Sequence, residues 1–262
     1  MNDPVSVFHA LHHGRPPGDP LVLPGPWDAA SARVFEDAGF PALATPSAGI
    51  AASLGYDDGS TPPAEMFAAV ARIVRSVSVP VSADIEDGYG LAPDELVERL
   101  LEAGAVGCNL EDSTDGVLVD PRRQADRLAA VCAAADGRLF VNARVDTYIH
   151  GDPAATDVVA DTIARARLYT GAGAGCVYPI KAPADVLPRL AAAIPAPLNA
   201  LGPPDGPSTV RRLGELGAAR ITFGPQLQRG ATDAVRDLAG RLLGRRTASS
   251  AEPHRPPNRV VR

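Results

Sequence analysis

The chain alternates short β-type runs with helical segments eight times, and few folds accept that rhythm. The runs are "LVLPG" (21–25), "ALATP" (42–46), "VPVSAD" (79–84), "GCNLED" (107–112), "RLFVNARVD" (138–146), "GCVYPI" (175–180), "PLNALG" (197–202) and "RITFG" (220–224). Between them apolar residues recur near every 3.6 positions, as in "PDELVERLLEAG", where Pro93 suits a first helical turn and Gly104 the position past the last. "ATDVVADTIARARLYTGAG" and "STVRRLGELG" follow the same pattern and close on glycine. Continuous apolar strands separated by helices indicate a parallel sheet, and eight such units indicate an α/β (β/α)₈ TIM barrel. A doubly wound open sheet is the competitor. It prefers fewer units and a glycine-rich first turn, and "LPGPWDAAS" is not a dinucleotide fingerprint. Residues 1–245 are expected to form one catalytic barrel domain. Residues 246–262 lack periodicity and apolar content and are expected to be a disordered tail.

Residues at C-terminal strand ends face the active side of such a barrel. Strand three ends in "ADIED", bringing Asp84, Glu86 and Asp87 to the tip of a buried-looking run. Strand four adds Glu111 and Asp112, strand five Arg144 and Asp146, and strand seven Asn199. Crowded carboxylates are costly unless a cation or hydrogen-bond donors compensate. Carboxylate oxygens suit Mg²⁺ or Mn²⁺, and no clustered His or Cys suggests zinc. Strand alternation places Asp84 and Glu86 on one side and Ile85 on the other. Arg144 opposite such an ion would grip a substrate carboxylate with both arms of its fork. Metal and arginine together suit a small oxo or hydroxy acid whose enolate needs stabilising. The plainer alternative is that Asp87, Asp112 and Asp146 are helix N-caps.

A net charge of −6 excludes a basic nucleic-acid footprint and a polybasic membrane patch. With no signal-type N-terminus and no apolar run near membrane length, a cytoplasmic protein is expected. Cys108, Cys132 and Cys176 lack paired spacing and read as reduced core residues. Lys181 is the only lysine, so Schiff-base chemistry has one candidate, just after strand six.

In order and spacing, "LPGPWDAASARVFEDAGFPALATPSAGIAASLGYDD", "ADIEDGYG", "GCNLED", "VNARVD" and "LGAARITFGPQLQRGA" resemble the isocitrate lyase/phosphoenolpyruvate mutase superfamily over residues 5 to 245. The resemblance implies a Mg²⁺-dependent barrel, a homo-oligomer (dimer or tetramer) exchanging its eighth helix, and small carboxylate substrates. It makes Asp84 the direct metal ligand and Glu86, Glu111 and Asp58 ligands through water. It gives Arg144 the substrate carboxylate and the enolate. It also puts Ser47, Ala48 and Gly49, Trp27 and Asn199 at the substrate. Family lyases carry a Lys/Arg-Cys-Gly-His loop after strand four; here "EDSTDGVLVDPRRQ" has neither cysteine nor histidine. The family's glutamate near the end of strand six is replaced in "CVYPIK" by Tyr178 and Lys181, leaving Tyr178, Ser113 or water to move the proton. The leading expectation is a metal-dependent carbon–carbon lyase or decarboxylase on a small 2-oxo or 2-hydroxy acid. Three alternatives stay open: a C–P bond mutase or hydrolase, with Arg122 and Arg123 at a phosphoryl group; a Lys181 Schiff-base aldolase; and a non-catalytic carboxylate binder.

Overall fold

All eight apolar runs form strands in the computed structural model, which describes residues 3–154 and 156–244. They are β1 (Leu21–Val22), β2 (Leu43–Ala44), β3 (Val81–Asp84), β4 (Gly107–Glu111), β5 (Phe140–Val145), β6 (Cys176–Pro179), β7 (Leu198–Leu201) and β8 (Ala218–Thr222). Every pairing between them is parallel, and the sheet order is β1-β8-β7-β6-β5-β4-β3-β2. The curled sheet is drawn together at its ends where Ala44 N–H donates to the Pro24 carbonyl at 3.2 Å. Gly25 allows that approach, because a Cβ there would stand 3.2 Å from the Ala44 carbonyl oxygen. The expected (β/α)₈ barrel fold is present.

Both faces of the sheet are covered, so nearly every strand residue is buried and burial does not alternate along the strands. One face packs on helices such as Pro63–Val74, Pro93–Glu102 and Pro121–Ala135, through Met66, Ile73, Leu96, Leu100, Leu128 and their neighbours. The helix Pro4–Leu11 brings Phe8 into a second cluster with Leu21, Leu23, Ala42 and Phe140. Pro93 opens its helix as expected, and Gly104 follows the C-cap with φ +77°. The other two anticipated helices run Val158–Gly171 and Pro207–Glu215.

The segment after β4 is more ordered than an irregular loop. Ser113–Thr114 and Val117–Leu118 pair antiparallel across Asp115-Gly116. Both turn residues have positive φ (51° and 75°), as a two-residue hairpin turn requires. The chain divides into two compact units, Met1–Gln228 and Arg229–Arg262, and the last helix, Gln226–Leu242, crosses the boundary. In the second unit Val235, Leu238, Leu242 and Leu243 are exposed. The expected tail, 246–262, lies outside the described residues. Among the described residues no helix is long and apolar enough to cross a membrane.

Candidate active site

Strand register assembles the site. Glu111, Arg144 and Tyr178 lie side by side across the C-terminal ends of β4, β5 and β6, and Asp84 pairs with Asn109 one strand away. Arg144 is clamped: Nε and Nη2 donate to the two oxygens of Asp146 at 2.7 and 2.9 Å, and Nη1 pairs with Glu111. Asp146 is fully buried and accepts a further 2.6 Å bond from the Ser113 hydroxyl. Burial opposes the charge on Arg144, but Glu111, Asp146 and Asp84 outweigh it and hold the guanidinium above its ordinary pKa.

Asp84 is held from β2's loop. Ser47 donates to Oδ2 through its hydroxyl (2.8 Å) and its backbone N–H (3.3 Å), and the Asp84 N–H donates to Thr45 Oγ1 at 3.2 Å. Oδ1 of Asp84 and Oε1 of Glu86 are buried with no hydrogen-bond partner. Glu86 reaches the cluster by a route that alternation does not describe. β3 ends at Asp84, and Glu86 sits at φ +54° in a left-handed turn whose carbonyl accepts the Glu111 N–H at 2.9 Å. Burial, then the charges of Asp84, Asp58 and Asp87, push Glu86 up to about 7 against the pull of Arg144. Burial pushes Glu111 up to about 9 even with Arg144 beside it.

Buried oxygens without donors and carboxyls that resist ionisation fit a hard divalent cation, which would supply the missing positive charge. Among the described residues no three His, Cys, Asp or Glu side chains converge closely enough to hold an ion by themselves. One protein carboxylate with the remaining positions filled by water is the arrangement Mg²⁺ favours.

The other anticipated residues divide. Ala48 and Gly49 lie in the first turn of Ser47–Leu54, whose Pro46 cap gives no side-chain bond, so their amides have no helical acceptor. Asn199 is fully buried, with Oδ1 on the Thr222 hydroxyl (3.2 Å) and Nδ2 unpartnered. Tyr178 is buried beside Arg144, and burial pushes its phenol up to about 12. Asp58 is exposed and acts on Glu86 through its charge alone. Trp27 packs edge-on against Phe35, and its backbone N–H donates to the Ser31 hydroxyl within the Asp28 capping box. Trp27 makes none of the described polar contacts of the acid cluster. Lys181 is exposed at φ +59°, outside the described polar contacts of the acid cluster.

Three plain expectations are corrected. Asp87 caps no helix: its side chain accepts the Tyr89 N–H at 2.8 Å, and the next helix, Pro93–Glu102, has Ala92 at its N-cap. Asp146 stands at the N-cap of Thr147–His150 but makes no cap bond, because its side chain is committed to Arg144. Asp112 caps nothing either. It accepts from Tyr169 (2.7 Å), Arg165 (3.1 Å) and the Asp146 N–H (2.8 Å), which ties helix Val158–Gly171 to the site. The i, i+2 spacing in "RVD" carried a signal for the Arg144–Asp146 clamp, since both side chains leave one face of a strand.

The phosphoenolpyruvate phosphomutase family model matches residues 8–243. A solved protein of Burkholderia cenocepacia J2315, provisionally named a phosphonomutase, is 38% identical with a TM-score of 0.84, covering 92% of this chain and 100% of its own. The oxaloacetate decarboxylase of Bradyrhizobium sp. (strain ORS 278) is 32% identical over 221 residues, 79% of this chain and 74% of that protein. A phosphonopyruvate hydrolase solved with oxalate and Mg²⁺ shares the fold at 23% identity, with a TM-score of 0.78 over 97% of this chain and 92% of that one. Relatives of the chain are thus lyases and mutases built on this barrel. With the family model spanning nearly the whole barrel, the chain belongs to the phosphoenolpyruvate phosphomutase family of the isocitrate lyase/phosphoenolpyruvate mutase superfamily.

Proposed function

We propose that the protein is a Mg²⁺- or Mn²⁺-dependent lyase that breaks a carbon–carbon bond next to the carbonyl of a small 2-oxo or 2-hydroxy acid, with decarboxylation of a 2-oxo diacid the first reaction to test. The observation that carries the proposal is the clamped Arg144 beside the unpartnered buried oxygens of Asp84 and Glu86. A divalent ion held there would supply positive charge that stabilises an enolate. Asp84 would hold it directly, with Glu86, Glu111 and Asp58 through water. Arg144, fixed in orientation by Asp146, lies where it offsets negative charge growing on the enolate oxygen. The amides of Ala48 and Gly49 are free to take the substrate carboxylate. Asn199 Nδ2 offers a further donor, and Trp27 contributes through packing of the first loop.

Proton inventory favours decarboxylation over aldol-type cleavage. Cleaving a 2-hydroxy acid requires a base for the hydroxyl and an acid for the enolate. The hairpin after β4 carries neither cysteine nor histidine, and its Ser113 hydroxyl is committed to Asp146. Loss of CO₂ needs only stabilisation of the enolate, followed by one protonation, for which Tyr178 is the candidate donor. The likeness to a decarboxylase of Bradyrhizobium supports the same choice. The phosphomutase family model supports a second reading, C–P bond chemistry on a phosphonate.

The test is a panel of oxaloacetate, substituted malates and phosphonopyruvate, each with Mg²⁺ and with chelator, on wild type and Asp84→Ala. Turnover that needs the ion and disappears in Asp84→Ala is expected. Turnover of phosphonopyruvate alone would favour the second reading. Chelator-resistant activity trapped by borohydride would point to Lys181, and tight binding without turnover to a carboxylate binder.

A further inference from the structure

A concave site lies beside the acid cluster. It is a cavity of about 380 Å³ between the hairpin and helix Pro121–Ala135, lined by Asp87, Pro93, Glu111, Thr114, Val119, Arg123, Gln124 and Arg127. Its formal charges balance, but their engagement does not. Asp87 accepts the Tyr89 N–H (2.8 Å) and the Thr114 hydroxyl (3.0 Å). Glu111 is paired with Arg144, and its backbone carbonyl accepts from Gln124 at 2.9 Å.

The two arginines, by contrast, have no carboxylate partner among the described residues. Nε and Nη2 of Arg127 are buried without a hydrogen-bond partner, and Arg123 is exposed at the rim. Buried guanidinium nitrogens left unpaired are costly, and a planar fork of donors matches an oxyanion. The cradle depends on the backbone above it. Arg127 Nη2 lies 2.5 Å from where a Cβ on Gly88 would stand, so only glycine leaves the guanidinium its place. Gly88 belongs to a turn in which Glu86, Gly88, Tyr89 and Gly90 all have positive φ, between 54° and 86°.

We infer that this cavity is a binding site for a small oxyanion, of the phosphate or carboxylate type, held by Arg127 from beneath and Arg123 from the rim. The site borders the acid cluster at Glu111 but is built on its own two arginines, and it does not depend on the proposed reaction. An anion seated there would pair the charge under Gly88 and brace the turn that carries Glu86.

The test is calorimetric titration of inorganic phosphate, and separately of malonate, into metal-free wild type, Arg127→Met, Arg123→Met and Asp84→Ala, with a thermal melt of each. Saturable binding to wild type is expected, weakened at least about tenfold in Arg127→Met and measurably in Arg123→Met, and kept within about twofold in Asp84→Ala. Whichever of phosphate and malonate binds more tightly identifies the oxyanion type. Arg123 is exposed, so its variant reports even if Arg127→Met melts early. Absence of saturable binding by either anion overturns the inference, as does binding indifferent to both arginine changes. Binding lost in a folded Asp84→Ala would assign the anion to the metal cluster instead and equally overturn it.

Discussion

Under the proposed function Arg144 stabilises an enolate, and the orientation of its fork rests on several neighbours. Asp146 fixes its plane, Glu111 draws one arm toward the acids, and Ser113 holds Asp146 in turn. Arg144→Lys keeps the charge but loses the bidentate clamp, so kcat is expected to fall roughly 10²–10³-fold with the fold intact. Steady-state kinetics beside circular dichroism checks this, and a loss under threefold would remove Arg144 from the chemistry. Far from the site, His12 is buried, stacked on Phe140 at 4.2 Å, with Nδ1 donating to the Phe8 carbonyl at 2.8 Å. Burial first, and Arg220 second, lower its pKa from 6.5 to about 3. The unfolded chain therefore binds a proton that the folded chain refuses between those values. The stabilising contribution of neutral His12 is present above pH 6.5 and lost as pH falls toward 3, at most about 5 kcal/mol in all. Denaturant unfolding at pH 7.5 and pH 4 should show a shallower acid loss in His12→Gln than in wild type. Equal slopes would mean that other groups govern acid unfolding.

Among the elements, the hairpin after β4 and helix Val158–Gly171 decide how the site is supported. Asp112, at the start of the hairpin segment, joins Arg165, Tyr169 and the Asp146 backbone in one buried hub. Asp112→Ala leaves the Tyr169 phenol without its acceptor and takes one of three acceptors from Arg165, which keeps Asp161 and the Val119 carbonyl, and a loss of about 2–3 kcal/mol is expected. Urea unfolding measures it; a change below 1 kcal/mol, on the scale of exposed ion pairs, would show that the hub is dispensable. The Asp-Gly pair in "TDG" carries a hairpin signal in its composition, which comparing this segment with the family's lyase loop for cysteine and histidine alone does not use. Asp112 could not be told from a helix cap in the sequence. Its partners Tyr169 and Arg165 lie more than 50 residues away, and only packing selects among acids with the same local setting.

For the whole molecule, the second unit carries apolar residues that its own helix does not cover: Val235 and Leu238 are 62% and 52% exposed. A dimer or tetramer that buries this face is expected, in keeping with the helix exchange implied by the resemblance. Light scattering on Val235→Asp and Leu238→Asp should show smaller assemblies than wild type, and a monomeric wild type would end that expectation. Eight strand–helix units, their order and the barrel they make were legible because the pattern of apolar residues repeats at local range.

The sequence by itself determined the barrel and which acids and arginine stand at or just past the C-terminal ends of its strands, Asp84, Glu86, Glu111 and Arg144 among them, because strand ends are local features. Tertiary structure alone decided how those residues are used. It put Glu86 on the site by a left-handed turn, committed Asp146 to Arg144 and left Arg127 without a partner under Gly88. A charge's role depends on which distant groups share its low-dielectric surroundings, and a local pattern cannot encode that.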